Sequence, residues 1–509
     1  MVRRLIEWAV HSPLIVILLV LALVVVGSYS FLHINVEAYP DPAPAIIEVI
    51  AQWPGRSAEE VERRVTIPLE VTLAGMPGLN YTRTKSLAGL SHLRNQFDYG
   101  IDFYAARQEV INRLQFVNGL PNGVTPQISP ETPTGEIFRY TLSNPRDQAG
   151  RELPIYNLND LKALQDWTLE REFRRVPRIG DVASSGGTIK RYEVHPDPDR
   201  LRHYGVTLQQ LQNALANSND NVGGDLLRVG HTVVNVRGIG LIGGGLDPMQ
   251  QVLGMELKEL DTMLNAAPDL AEATKERFRT VFKGAKADPL LGDEENRAYR
   301  RLRQRASVQA GVKAAAFLRA KEAERIRQIR QIVIASVNNV PVRIEDVVEG
   351  GPLRTSKRGV GAEGVVVGHQ TRLGKVGLSR PMKDYLGRTV LDEDGQPVWV
   401  DEDEKIQGIV LLRKNEDSLP ALRDVEAKVK DLNERPGALL PGVQIETYYD
   451  RTDLISITTE TVKENLFLGM VLVSMILFMF LSNVRSAVIV AINIPLALLF
   501  AFAMLFLRG

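Results

Sequence analysis

The chain has no cysteine among its 509 residues. That excludes disulfides and thiolate metal ligands, and it suits an oxidising compartment. Histidine is scarce, with seven residues, and methionine numbers ten. Neither forms a ligand-like spacing in the large polar part of the chain, so no metal site is read from the sequence. Lys plus Arg and Asp plus Glu both total 61, giving a formal net charge of zero. No basic patch argues for nucleic acid, and no acidic tail is present. Nucleophile–base constellations, phosphate-binding loops and zincin motifs are missing. The Gly-rich stretch Gly240–Asp247 lacks the strand–helix context and the Lys-Ser/Thr of a phosphate cradle, so it reads as a flexible loop. No cofactor and no enzyme activity are implied.

What the chain does have is long apolar runs. Ser12–Leu32, Asn465–Val484 and Ala487–Leu507 are wholly uncharged. A bilayer core needs about 17–25 apolar residues per helix. Three transmembrane helices are expected: one ending the N-terminal segment 1–33, then 465–484 and 487–507. A cleaved signal peptide is the other reading of the first run. Arg3 and Arg4 would suit it, but Val36-Glu37-Ala38 is a poor cleavage site and Trp8 resembles an interfacial anchor. Arg3, Arg4 and Arg485 fall on one side if each run crosses once. The positive-inside rule makes that side cytoplasmic and the large polar block external. Ionisable residues inside a membrane mark function by default. The three runs offer no proton relay, and His11, at the edge of the first, reads as interfacial.

The polar block has an α/β rhythm. Ala45–Trp53 reads as a strand, and Ser57 with Glu60 forms a capping box that opens a helix over Ala58–Ala74. Strands Leu79–Ser86 and His92–Tyr99 and a helix Phe103–Asn118 follow, the order of a split βαβ module. A second copy is read from Phe138–Ser143, Leu158–Arg175, Arg178–Gly186, Lys190–His195 and Thr207–Asn217. A third, partial copy is read from Gly408–Arg413, Leu419–Leu432 and Val443–Tyr449. Met255–Gln331 is charge-dense with helical period and reads as a solvated helical insertion. Arg372–Glu404 reads as a solvated hairpin. Its acidic residues Asp392–Asp394 and Asp401–Glu404 lack calcium-loop spacing.

Several segments then resemble the resistance-nodulation-division (RND) transporters, most closely their heavy-metal efflux branch. They are WPGRSAEEVERRVTIPLE (Trp53–Glu70), RTKSLAGLSHLRNQFDYGIDFYAARQEVINRL (Arg83–Leu114), LPNGVTPQISPETPTGEIFRYTL (Leu120–Leu142) and GGTIKRYEVHPDPDRLRHYGVTLQQLQNAL (Gly186–Leu215). NVGGDLLRVGHTVVNVRGIGLI, VPVRIEDVVEGGPLRTSKRGV and YDRTDLI continue the resemblance, which reaches FLSNVRSAVIVAINIPLALLFAF near the C-terminus.

The resemblance implies an α+β membrane protein whose periplasmic block repeats ferredoxin-like βαβ porter subdomains around an inserted docking subdomain. The expected boundaries are 34–136 and 137–220 for the first two porter subdomains and 221–407 for the docking subdomain. The helical insertion lies at 255–331, and 408–464 returns to a porter subdomain. It also implies an inner-membrane, proton-driven exporter of metal cations, a secondary transporter working as a homotrimer. A periplasmic membrane-fusion adaptor and an outer-membrane channel are the implied partners, with membrane lipid as its surroundings. The family's relay carboxylates fall on a fourth helix, beyond Gly509, so the chain is expected to be an N-terminal half. Glu131, Thr132 and Thr134 match the loop that faces the porter cleft in relatives and are the candidate substrate-cleft residues. The alternatives are a multidrug exporter, or a split or truncated, non-pumping, membrane-anchored periplasmic subunit.

Overall fold

A computed structural model describes residues 9, 11–33, 44–129, 135–284, 291–337, 339–352, 364–369, 374–384, 388–414, 416–480 and 484–508. The chain divides into two compact units. One holds Met1–Phe138, Leu411–Arg423 and Tyr449–Gly509, and the other holds Arg139–Val410 and Asp424–Tyr448.

The first unit opens with helix α1 (Pro13–His33), followed by strand β1 (Ile46–Gln52). Helix α2 covers residues 58–73. Ser57 starts it: its hydroxyl accepts from the Glu60 amide, and the Glu60 carboxylate accepts from the Ser57 amide at 3.0 Å. Each partner satisfies a donor that the first helical turn leaves orphaned. A π-turn at Glu62–Thr66 precedes Pro68. Proline has no N–H to continue the helical ladder, and the wider turn accommodates it. Strands β2 (Leu79–Leu87) and β3 (Leu90–Phe97), helix α3 (Phe103–Leu114) and short strand β4 (Gln127–Ile128) complete the module. The sheet order is β2-β3-β1-β4, antiparallel throughout. This is split βαβ topology. Alternation in β1 and β3 sends Ile47, Val49, Leu93 and Phe97 into one core, where Val61, Leu69, Leu73 and Val110 of the helices meet them.

Beyond the first module, β5 (Glu136–Ser143) leads to helix α4 (residues 158–174) and β6 (Ile179–Ser185). Next come β7 (Lys190–Val194), α5 (Pro198–His203), α6 (Leu208–Asn217) and the hairpin β8 (Asn221–Val229) and β9 (Thr232–Ile239). Three helices follow: α7 (Met255–Asn265), α8 (Glu272–Phe282) and the 38-residue α9 (Asp293–Arg330). Short strands β10 (Val333–Val337), β11 (Val340–Arg343), β12 (Val365–His369), β13 (Leu378–Pro381) and β14 (Trp399–Glu402) precede the return. The return comprises β15 (Ile406–Leu412), α10 (Ser418–Glu434) and β16 (Gln444–Asp450), of which residues 411–423 and 449–450 count with the first unit.

The second four-stranded sheet has the order β16-β5-β15-β6. Renumbered within its module, this is the order of the first sheet. Two sequence expectations change here. Lys190–His195 is not the third strand of the second module, because β7 pairs with β12 in a separate two-stranded sheet. The residues read as a partial third copy instead supply the third and fourth strands of the second. Val206 and Leu211 also leave that module, sharing a core with Ile329, Val342, Ile344 and Val365.

The helical insertion is not solvated all round. Leu260, Leu264, Phe278, Phe282, Leu291, Tyr299 and Ala306 form a core of their own. Further along α9, Ala310, Gly311, Ala314 and Ala315 are buried. The small residues allow close approach: a Cβ on Gly311 would lie 3.1 Å from the Pro441 carbonyl oxygen. Arg303 and Arg319 donate to the carbonyls of Asn433 (3.2 Å) and Ile155 (3.3 Å).

The first unit ends in α11 (Arg451–Phe480) and α12 (Val484–Arg508). Helix α11 is polar at its start, and its apolar part begins beyond Glu464.

Candidate functional site

Glu131, Thr132 and Thr134 lie outside the described residues. Their flanks are anchored. The Ser129 amide donates to the Glu48 carbonyl at 2.8 Å, and a Cβ on Gly135 would lie 3.2 Å from the Leu412 carbonyl oxygen. The segment therefore leaves the edge of the first sheet and enters the first strand of the second.

Potential soft ligands are dispersed. Met76 is buried in the first core. His92 lies 3.3 Å from Glu48, which Arg94 also approaches, and His195 lies 3.4 Å from Glu193. His369 sits in β12. Among the described residues, no group of three or more His, Cys, Asp or Glu could hold a metal ion.

A dense polar arrangement among the described residues escaped the sequence expectations. Lys405, 5% exposed, contacts Glu152 at 2.6 Å and Glu402 at 2.9 Å. Arg380 contacts Glu402 at 2.5 Å and Glu446 at 3.6 Å. Arg146 reaches Glu446 at 2.5 Å, and the Ser143 hydroxyl donates to it at 2.8 Å. Three cations face three carboxylates, so the cluster is neutral. Burial pushes the Glu402 carboxyl up, but hydrogen bonds from Arg380 and Lys405 outweigh it and hold the pKa at about 2. Arg146 and Glu446 also line a polar cavity of about 480 Å³, with Glu256, Arg303 and Ser307 of the insertion on its wall.

A turn repeat organises this region. Asp147, Asp384 and Asp392 each accept from the amide four residues on, those of Arg151 (2.8 Å), Arg388 (3.0 Å) and Gln396 (2.8 Å). Aspartate at a turn start commonly bonds its own downstream backbone in this way. The second and third turns are joined by a ring of backbone bonds. Val390 donates to Met382 (2.8 Å), Val398 to Val390 (3.0 Å) and Met382 to Val398 (2.7 Å). The hairpin expected to be solvated thus has exposed Asp392–Asp394 at its tip and half-buried Glu402, paired with Arg380 and Lys405, at its base. The shared D-x-x-G-[RQ] pattern at 147–151, 384–388 and 392–396 was the available signal.

Within the first unit, the apolar helices pack through a notch. A Cβ on Gly27 would lie 2.7 Å from Leu499 Cβ. Tyr29 meets Phe506 edge-on at 5.9 Å, and Phe31 meets Phe502 at 4.9 Å. The outer faces remain bare: Leu14, Leu21, Val25, Phe467 and Met479 are all exposed. Such contiguous apolar surface is stable only against lipid or another apolar partner. Among the described residues, two helices, Pro13–Phe31 and Arg451–Phe480, are long and apolar enough to cross a membrane. Ile492–Leu507 is a shorter apolar helix.

Comparison with known proteins gives this architecture a family. Residues 5–242 and 391–509 match the profile of the AcrB/AcrD/AcrF family. The cation efflux system protein CzcA of Alcaligenes sp. (strain CT14) is 29% identical over 504 residues, covering 99% of this chain and 36% of that protein. The cation efflux system protein CusA of Escherichia coli (strain K12) is 27% identical over 512 residues, covering 100% of this chain and 37% of that protein. A crystal structure of a heavy metal efflux pump aligns with a TM-score of 0.66 at 27% identity, covering 99% of this chain and 38% of that one. The chain thus spans little more than a third of the length of the curated relatives it matches. By this match and by its fold, the chain belongs to the AcrB/AcrD/AcrF family and stands with the heavy-metal efflux transporters of the RND type.

Proposed function

We propose that this chain is the N-terminal half of an inner-membrane RND transporter that exports heavy-metal cations, driven by protons, through an envelope-spanning complex. The observation that carries the reading is its correspondence, over almost its entire length, to proteins named as cation efflux systems. The bare apolar helices flanking a large α/β block support it. We read α12 as a third span, with the α/β block in the periplasm. The transporter assembles as a homotrimer with a membrane-fusion adaptor and an outer-membrane channel. In this reading the two split βαβ modules are porter subdomains, with the docking subdomain inserted into the second.

Glu131, Thr132 and Thr134 sit on the segment joining those modules and line the substrate cleft. A carboxylate there offers a passing cation one exchangeable oxygen ligand, as a transporter that must also release its cargo requires. Deletion of the gene in its host, followed by growth across zinc, cobalt, cadmium, copper, silver and nickel, tests the assignment. Sensitivity to one or more cations, restored by the gene and weakened by Glu131→Gln, is expected. Sensitivity confined to organic drugs would favour a multidrug exporter. Unchanged tolerance of both classes would favour a non-pumping subunit.

A further inference from the structure

A groove of about 450 Å³ lies in the second unit, lined by residues that include Trp167, Arg171, Leu246, Met249 and Arg325. Trp167 is 66% exposed and Leu246 68%, although both are large apolar residues beside a cavity. The Arg171 guanidinium lies over the Trp167 ring, 5.6 Å from its centroid. Arg325 donates to the Leu246 carbonyl at 3.3 Å. Among the described residues, neither arginine forms an ion pair with a carboxylate. The wall is fixed rather than loose. Gly243, Gly244 and Gly245 run consecutively in the left-handed region (φ 76°, 68° and 73°). A Cβ on Gly243 would lie 2.8 Å from Arg325 Nε. The groove therefore presents an apolar floor, two arginines and one carboxylate, Asp247, which accepts from the Met249 amide at 3.0 Å.

The complementary surface is on the same chain. The tip of the tandem hairpin, residues 391–397, is exposed throughout and carries Leu391, Asp392, Glu393 and Asp394. Leu391 is 56% exposed. The tip is stiffened by its turn bonds and by the backbone ring beneath it, so little entropy would be lost in docking it. An exposed leucine beside three carboxylates matches an exposed tryptophan beside two arginines in both shape class and charge.

We propose that the Trp167 groove is a docking surface for the acidic 391–397 tip of a second copy of this chain. Each copy would offer one groove and one tip, so the contact is head-to-tail, the kind that closes into a ring. Gly245, Leu246, Asp247, Met249, Gln250 and Arg325 come from residues 243–390, which the family profile leaves unmatched. One wall of the groove therefore lies outside the matched profile, whereas Trp167, Arg171 and the 391–397 tip lie within it. The contact does not depend on which substrate is carried.

The cysteine-free chain makes the test direct. Two differently tagged copies are co-expressed in membranes, one carrying Thr168→Cys and the other Asp394→Cys, and oxidised mildly. A disulfide joining the two tags is expected, absent when either cysteine is missing. Arg171→Glu or Arg325→Glu should reduce the linked fraction at least tenfold, and Asp392→Arg in the other copy should restore it. Arg171, Asp392 and Asp394 are exposed and Thr168 and Arg325 half-buried, and proteolytic patterns of the unlinked copies verify folding. Linked product no higher than with single cysteines, or linkage unaffected by either charge reversal, would overturn the proposal. So would a disulfide that forms only when both cysteines share one copy. Because the readout is covalent linkage, failure here leaves the metal-export reading to its own growth test.

Discussion

The two split βαβ modules share a strand order but not a way of being made. The first is continuous: β1 to β4 fall between Ile46 and Ile128. The second is interrupted: β5 and β6 end at Ser185, and β15 and β16 begin only at Ile406. Its two halves must therefore meet across a long insertion, and closing a loop of that length costs entropy before any contact repays it. The first module joins its elements through local devices, such as the Ser57–Glu60 capping box and the Thr66 hydroxyl, which lies 2.8 Å from both Ser86 Oγ and Ser91 Oγ. The second relies on distant ones. Tyr140 packs directly against Gly408 and donates to Gln165 at 2.9 Å, while Lys405 bonds Glu152. The Lys405–Glu152 tie is charged and spans 253 residues, whereas Thr66 reaches Ser86 and Ser91 over 20 and 25.

Breaking the long-range ties should give the largest effects. Lys405→Ala would leave Glu152 and Glu402 facing each other with one cation fewer. A loss of about 3–5 kcal/mol is expected for breaking a buried pair, read as loss of hydrogen-exchange protection in β5, β15 and β16 with β1–β3 unchanged. Gly408→Leu would drive a side chain into the buried Tyr140 ring. About 3 kcal/mol is expected from overpacking, seen as a lowered thermal midpoint of the detergent-solubilised protein. In the first module, Thr66→Val removes two side-chain hydrogen bonds and leaves Ser91 buried. It should cost about 1–2 kcal/mol, with exchange rising in β2 and β3 alone. Ser57→Ala removes the helix cap and should cost about 1 kcal/mol, confined to the first turn of α2.

Acid sharpens the same contrast. The folded pKa of Glu402, about 2, lies below the ordinary value of 4.5. The stabilisation is complete above the ordinary value and is lost as pH falls from about 4.5 toward 2. The second module should therefore lose exchange protection before the first over that window, and Lys405→Ala should flatten the difference. Equal loss in both modules would place the acid-sensitive group elsewhere.

The same contrast explains what could be read from the sequence. The first module was legible almost element by element, because capping boxes, alternation and turn glycines act over three or four residues. Strands β15 and β16 were found at nearly their observed positions, but their partners were not. Pairing across more than two hundred residues leaves no local trace, and Lys190–Val194 offered a nearer strand of suitable pattern. Helix α9 looks solvated in the sequence because five of its buried residues, Ala306, Ala310, Gly311, Ala314 and Ala315, carry little hydrophobic signal yet allow close packing. Glu402 and Lys405 sat within a run of exposed carboxylates, and nothing in composition separates the two that fold inward. Glu131, Thr132 and Thr134 became candidates through resemblance alone. The apolar runs were the plainest feature, since a bilayer span calls for about 17–25 apolar residues in a row.

The measurement that tests the central claim most directly is metal uptake by inside-out membrane vesicles from cells expressing the complete coding region. With an imposed proton gradient, the account predicts cation accumulation that collapses on addition of a protonophore and falls with Glu131→Gln. Accumulation equal to that of vesicles lacking the protein, or indifferent to the gradient, would contradict it.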